Sequence, residues 1–127
     1  MRTKLFTLAL VLGSAGPATA DPVQQAMLKL GPEERAHQAC VIKGIEEMRR
    51  NKSLPGADRL KTGIFKPAAF DGKIVAASGG AVRAKDHWYA LKFNCAVTPD
   101  QMKATSFTYE LGAEIPEAKW EDLGLWK

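Results

Sequence analysis

Hydrophobic and polar residues alternate most regularly over residues 88–97. Every second position is apolar and the positions between them are small or polar; the apolar set is Tyr89, Leu91, Phe93, Cys95 and Val97. A two-residue period is typical of a strand with one buried and one solvent-exposed face, and aromatic and β-branched residues favour the strand. The pattern therefore predicts a central strand whose buried face carries Cys95.

Weaker alternation predicts further strands on both sides of this one. They cover residues 59–65, 73–78, 81–85 and 102–111. We expect turns between them at Asp71-Gly72 and Thr98-Pro99-Asp100, and a turn or a bulge at Gly79-Gly80. Together with the central strand, they predict an antiparallel meander of four or five strands.

A longer period predicts a helix before these strands. Val41, Ile45 and Met48 recur at helical spacing within residues 32–51, and Cys40 adjoins this apolar stripe. An amphipathic helix must bury its stripe, and the sheet needs a cover. We therefore predict an α+β fold in which one long N-terminal helix packs on the antiparallel four- to five-stranded meander, followed by a short C-terminal helix from Pro116.

The first residues have the layout of a secretory signal. Two basic residues precede an apolar run at residues 5–12, and Ala18-Thr19-Ala20 offers the small residues of a cleavage site. The apolar run is too short to span a bilayer, which needs about 20 residues. We expect a periplasmic or secreted protein with no membrane span after cleavage. The expected organisation is a signal peptide at 1–20, an N-terminal segment at 21–31 and a single α+β domain at 32–127.

The charge of the chain argues against a nucleic-acid partner. The chain has 18 Lys and Arg against 14 Asp and Glu, and loss of residues 1–20 removes two basic residues, so the net charge falls from +4 to +2. Nucleic-acid binding requires basic residues clustered on one face. The only such cluster, Arg49-Arg50-Asn51-Lys52, lies at the end of the predicted helix, where cations stabilise the helix dipole.

Cys40 and Cys95 are the only cysteines in the chain. In an exported protein two cysteines form a disulfide unless something prevents it, and only one connectivity is possible. The alternatives are a redox-active pair, which usually sits close in sequence, and a zinc site, for which the two histidines have no recognisable spacing. We predict a disulfide between the helix and the sheet, and we expect no metal and no cofactor.

Catalytic side chains form no recognisable pattern. His37 and His87 are the only histidines, and no spacing ties them to a nucleophile and a carboxylate; no catalytic residue is assigned. Exposed Trp, Tyr and Arg are enriched in binding hot spots. The hairpin before the central strand supplies a candidate binding surface of Arg83, Lys85, His87 and Trp88. Trp120 and Trp126 are expected to plug the open end of the core.

Several features in a fixed order resemble a known family. They are Cys40 in the helix, Ala57-Asp58-Arg59, Gly80-Ala81-Val82-Arg83 before Trp88-Tyr89, then Phe93, Cys95, Ile115-Pro116 and Trp120. Together, over residues 33–125, they are similar to the domain of unknown function 930 family, a group of small exported alphaproteobacterial proteins. The resemblance implies export and a disulfide. It implies no activity, substrate or catalytic residue.

These observations favour a non-enzymatic binding or accessory module of the cell envelope, with an unidentified envelope protein or ligand as partner. An inhibitor of an exported hydrolase such as lysozyme is one alternative, for which Ser78-Gly79-Gly80 would supply a hairpin loop. A small periplasmic enzyme is another. It would require a deep pocket that holds His37 or His87 beside a carboxylate.

Overall fold

The computed structural model describes residues 21–127, and the predicted signal peptide, residues 1–20, lies outside the described residues. Helices and an antiparallel sheet make up this part of the chain, as the predicted α+β class requires. In chain order the elements are α1 (Pro22–Leu28), α2 (Pro32–Arg50), β1 (Ala57–Lys61), β2 (Ala69–Phe70), β3 (Ile74–Ala84), β4 (His87–Val97), β5 (Ala104–Glu114), a 3₁₀ turn (Glu117–Lys119) and α3 (Trp120–Leu123).

The helical part before the sheet consists of two helices rather than one long helix. Lys29, Leu30 and Gly31 separate α1, with seven residues, from α2, with 19 residues. Pro32 is the first residue of α2, where its fixed φ is favourable and its missing N–H costs nothing. The helix predicted over residues 32–51 is therefore nearly right in its limits, but α2 is only about 28 Å long.

The sheet is antiparallel throughout, with β3 and β4 at its centre. The strand order is β1-β3-β4-β5. The short strand β2 also pairs with β3, opposite Val75 and Ala76, while β1 pairs with the other end of β3. The sheet therefore departs from the predicted simple meander, because β1 and β2 lie end to end along one edge of β3.

The strands predicted at 73–78 and 81–85 are one continuous strand, β3. Of the two structures predicted for Gly79-Gly80, a turn or a bulge, the bulge is present. Between Ala77 and Gly80, β3 has one residue more than β4 opposite it, which is a β-bulge. A Cβ at Gly80 would lie 2.8 Å from the carbonyl oxygen of Lys61 in β1. Only glycine therefore allows β3 to approach β1 this closely. The true hairpin turn is Lys85-Asp86, whose positive φ angles of 51° and 66° match a two-residue type I′ turn.

The main core lies between α2 and one face of the sheet. Cys40 and Met48 of α2 and Leu91 of β4 are almost completely buried there. The disulfide between Cys40 and Cys95 joins α2 to β4 across this core, with the two Cα atoms 6.0 Å apart. The predicted disulfide and the predicted inward face of the central strand therefore agree with the structure.

A second cluster lies on the opposite face of the sheet. The chain after β5 folds back over this face, and the buried members of the cluster are Ala81, Trp88, Ile115, Trp120 and Leu125. The indole N–H of Trp120 donates to the carbonyl of Ile115 at 2.9 Å, and that of Trp88 donates to the carbonyl of Trp126 at 2.7 Å. The tail tryptophans thus cover the second face of the sheet, and not the open end of the main core as expected.

Gly44 sets how closely α2 approaches the sheet. A Cβ at this position would lie 2.6 Å from Cζ of Phe107 and 2.7 Å from Cδ1 of Leu60. We expect Gly44→Ala to lower the free energy of unfolding by about 1–3 kcal/mol, because overpacking of a filled core outweighs the helix-propensity gain of about 1 kcal/mol. Chemical denaturation of the purified variant measures this change.

Gly31→Ala is the matched control for this prediction. A Cβ at Gly31 meets nothing within 4 Å, and Gly31 is the N-cap of α2. The same substitution there should therefore cost less than about 1 kcal/mol, through the poorer cap alone. Equal stability of the two variants would contradict the close approach of α2 to Phe107.

Candidate functional site

The structure does not present the four predicted binding residues as one surface. Trp88 is completely buried and Arg83 is 8% exposed, whereas Lys85 and His87 are exposed. Arg83 and Trp88 are directly opposite each other in the β3–β4 pair, so both project from the face that the C-terminal segment covers. The proposed contact role of Arg83 and Trp88 is therefore corrected: burial under residues distant in sequence assigns them to the fold.

Arg83 is held by a two-point ion pair with Asp58. Its Nε and Nη2 atoms donate to the two carboxylate oxygens at 3.0 and 2.7 Å. The hydrogen bond from Arg83 holds the pKa of Asp58 below its ordinary value. Since the folded-state pKa is depressed, this pair stabilises the fold above the ordinary carboxylate pKa, and the stabilisation is lost as the pH falls. The guanidinium also lies 5.9 Å from the ring centre of Trp126.

Lys85 and His87 remain accessible at the tip of the hairpin. Nδ1 of His87 lies 2.7 Å from a carboxylate oxygen of Glu114, and both side chains are at least half exposed. The methylene groups of Lys85 pass close to Gly56. These contacts tie the hairpin tip to its neighbours and leave a small polar surface there.

The second histidine, His37, lies on α2. Its Nδ1 is 2.9 Å from the hydroxyl of Thr62, and its Nε2 is 3.9 Å from a carboxylate oxygen of Glu33. The depression beside it is an open one, lined by Leu30, Glu33, Glu34, His37 and Gln38. Within residues 21–127 no group of three or more His, Cys, Asp or Glu side chains is placed to hold a metal ion.

A groove of about 600 Å³ with polar side chains lies on the face of the sheet opposite α2. The C-terminal segment covers only the Trp88 end of this face, so the other end stays open. We call this region the outer groove; it is lined by Lys66, Pro67, Ala69, Ala76, Ala77, Ser78, Lys92, Phe93, Asn94, Thr108, Tyr109 and Glu110.

Adjacent strands place the polar side chains of the outer groove side by side. Lys92 of β4 is paired with Glu110 of β5, and Asn94 is paired with Thr108. Ala76 of β3 lies opposite Asn94 on the other side. Because small residues on β3 adjoin longer side chains on β4 and β5, the floor is recessed at β3. The segment at Lys66 forms a wall of the groove.

The outer groove offers both charges and hydrogen-bonding groups to a ligand. Lys92 and Glu110 are exposed and can each form a charge-assisted hydrogen bond. Phe65, which is 54% exposed, lines a smaller depression that adjoins the groove at Ser78 and Lys92. An exposed aromatic ring beside converging polar groups is an arrangement that orients a bound molecule.

Sequence reasoning missed this groove for a specific reason. Lys92 and Asn94 occupy the outward positions of the central strand, and the alternating pattern identifies such positions only as a solvent face. The alternating pattern of β5 likewise identifies Thr108 and Glu110 only as residues of a solvent-exposed face. The available signal was that these four residues fall on the same face of adjacent predicted strands, which indicates a polar surface but not a recess.

In the part of the chain that the structure describes, no helix is long and apolar enough to cross a membrane. A comparison with curated proteins found no match, and a comparison with solved structures found none either. A family model for a domain of unknown function, DUF930, matches residues 27–125. The match spans α2 and all five strands, together with the disulfide, the outer groove and the buried C-terminal segment. The chain therefore belongs to the DUF930 family.

Proposed function

We propose that this chain is an exported protein of the bacterial cell envelope that acts as a binding or accessory module through its outer groove. The single observation that carries the binding role is that one half of the outer sheet face is left uncovered and recessed. Export is supported by the basic start, the apolar run at residues 5–12 and the small residues at Ala18-Thr19-Ala20. The Cys40–Cys95 disulfide is compatible with an oxidising compartment.

The groove favours a ligand or partner that presents both charge signs or several hydrogen-bonding groups. Lys66 and Lys92 contribute positive charge and Glu110 contributes negative charge, while Ser78 and Asn94 add neutral donors and acceptors. A purely apolar partner would displace water from these groups without replacing its hydrogen bonds, and this loss would make the free energy of binding less favourable. The partner is therefore expected to be a polar chain, such as a peptide segment of another envelope protein.

The hydrolase-inhibitor alternative loses the feature that suggested it. Ser78, Gly79 and Gly80 form no projecting loop, because they lie inside β3 at the bulge. The carbonyl of Gly79 accepts hydrogen bonds from the N–H groups of Ile64 and Phe65 at 2.8 and 3.0 Å, so this backbone is already engaged. Insertion of this segment into the cleft of a hydrolase would require β3 to come apart.

Photo-crosslinking in cells that express the full chain tests the proposal. We expect a photoreactive amino acid at Asn94, in the groove, to give a discrete adduct with an envelope component after illumination. The same group at Gln38, which is exposed on α2, should give none. We further expect Lys92→Glu to reduce the Asn94 adduct about tenfold, because reversing a charge at the contact costs on the order of 1–2 kcal/mol.

The matched control for Lys92→Glu is Lys85→Glu, which makes the same charge change at the exposed hairpin turn and should leave the Asn94 adduct unchanged. Equal adducts at Asn94 and Gln38, or equal losses in the two lysine variants, would refute the groove as the contact site. Export is read separately, by mass spectrometry of the protein from the envelope fraction. Asp21 at the amino terminus supports it, and an uncut chain in the cytoplasm overturns it.

A further inference from the structure

The strand β5 lies at an edge of the sheet, and its outer side carries free backbone groups. β4 pairs with one side of β5, and no other strand within residues 21–127 pairs with the opposite side. Thr105, Ser106, Thr108 and Glu110 of β5 are exposed. A strand edge of this kind is a template for pairing with another strand.

The hydrogen-bond pattern identifies which residues face outward. The N–H of Val97 donates to the carbonyl of Lys73, toward β3, and the carbonyl of Trp88 accepts from Ile115, on the β5 side. In antiparallel pairs successive residues alternate in direction, so the even-numbered residues of β4 bond to their partners on β5. Those partners are Ser106, Thr108 and Glu110. The backbone groups of Phe107, Tyr109 and Leu111 therefore point away from β4, to the open edge.

Natural edge strands usually carry a feature that prevents pairing, such as a proline, charged side chains, especially lysine, or a bulge. From Ala104 to Leu111, β5 has no proline and no lysine, and Glu110 is its one charged residue. Its register shifts lie near the two ends, one beside Ala104 and one beyond Leu111. The regular stretch between Ser106 and Leu111 is therefore open to a partner along its length.

We propose that β5 is a homodimer interface, in which two copies of this chain pair their β5 strands antiparallel about a two-fold axis at Tyr109. A symmetric axis passes either through a residue whose backbone faces outward or through a residue between two of these. An axis at Thr108 leaves Leu111 opposite Thr105, beside the register shift at Ala104, and an axis at Glu110 opposes the two Glu110 carboxylates. An axis at Leu111 runs into the register shift beyond it, and an axis at Phe107 shortens the overlap. An axis at Tyr109 pairs Phe107 with Leu111 of the second copy, so all three outward-facing residues hydrogen-bond across the interface.

The charges of β5 are compatible with this register. Within the regular stretch, sequence positions that face each other across the axis at Tyr109 sum to a constant, so Glu110 lies opposite Thr108 of the second copy. No two carboxylates are directly opposed, although like charges in that position destabilise a strand pair. The dimer would join the two sheets into one and bring the two outer grooves side by side, next to the axis.

Sedimentation equilibrium of the purified protein tests the proposal. We expect the wild-type mass to rise from monomer to dimer with concentration. We expect Thr108→Glu to raise the dimer dissociation constant about tenfold, because the introduced carboxylate would face Glu110 of the other copy, and the symmetry repeats this repulsion twice in each dimer. Thr108→Lys should leave the constant unchanged or lower it, since the lysine would face Glu110 of the second copy.

Asn94→Glu is the matched control, because it adds the same charge to the same face one strand further from the edge. A monomer at every concentration overturns the proposal. So do equal effects of Thr108→Glu and Thr108→Lys, or of Thr108→Glu and Asn94→Glu. Hydrogen exchange locates the interface: concentration should slow the exchange of the Phe107, Tyr109 and Leu111 amides, and unchanged rates at these three positions in a dimer would place the interface elsewhere.

Discussion

Replacing Cys95 with serine should lower the melting temperature by about ten degrees or more, because loss of a disulfide in a domain of this size costs about 2–4 kcal/mol. The bond closes a loop with a sequence separation of 55 residues, for which the chain-entropy relation gives about 4 kcal/mol. Cys40 and Cys95 are also completely buried, so the variant leaves a thiol and a hydroxyl in the core. Thermal unfolding followed by circular dichroism measures the change.

Reduction of the wild-type protein supplies the control for this variant. A reducing agent should lower the melting temperature of the wild type by a similar amount and leave that of Cys95→Ser unchanged, because only the wild type has a disulfide to lose. A melting curve of Cys95→Ser that matches the oxidised wild type would contradict a structural role for the bond.

Trp88→Ala should be the most destabilising single substitution on the outer face, at about 3–5 kcal/mol. The side chain is completely buried, and its N–H donates to the carbonyl of Trp126 at 2.7 Å. Its ring packs edge-on against that of Trp126, with 5.5 Å between ring centres. The substitution therefore opens a cavity and also releases the end of the chain that covers the sheet. Denaturant unfolding measures the loss.

Trp88→Phe separates the two contributions. Phenylalanine fills most of the space but cannot donate to Trp126, so we expect a smaller loss of about 1–2 kcal/mol. Lys85→Ala, in the exposed turn of the same hairpin, should stay within about 0.5 kcal/mol of the wild type. If Trp88→Ala were as stable as Lys85→Ala, the C-terminal segment would not be packed on the sheet.

The burial of Trp88 and Arg83 also determines which variants can test binding. A loss of binding in Trp88→Ala or Arg83→Ala would follow from the disturbed fold, because both side chains are buried. Substitutions at Lys92 or Lys85 change exposed side chains, so their effects report on contacts with a partner. The outer groove and the hairpin tip can therefore be compared without altering the core.

Several elements of the fold could be predicted because their signals are local. The alternation from Tyr89 to Val97 identified β4 and its buried face, since a side chain in a strand points to one side or the other according to its position. The helical spacing of Val41, Ile45 and Met48 identified α2 in the same way. With only two cysteines in the chain, the disulfide followed from composition. It then required Cys40 and Cys95 to face each other, as they do.

Other predictions were wrong or left two alternatives where the outcome depends on distant residues. The composition of Gly79-Gly80 suits a turn or a bulge, and pairing with β4 on one side, together with hydrogen bonds from Ile64 and Phe65 on the other, keeps β3 continuous through a bulge. Arg83 has the composition of a contact residue, but Asp58, which is 25 positions earlier in the chain, forms an ion pair with it. The local sequence pattern is the same for a turn and for a bulge, and the same for an exposed arginine and for one in a buried ion pair. It therefore cannot distinguish the two alternatives at either position.

The sequence by itself determined the periods of the elements, the apolar face of each one and the only possible cysteine pair. The tertiary structure alone decided what covers the second face of the sheet. The C-terminal segment buries the Trp88 end of that face and leaves the Lys92 end open as the outer groove. The physical reason is that periodicity reports which way a side chain points, whereas burial of an outward side chain depends on segments that are brought over it only when the whole chain folds.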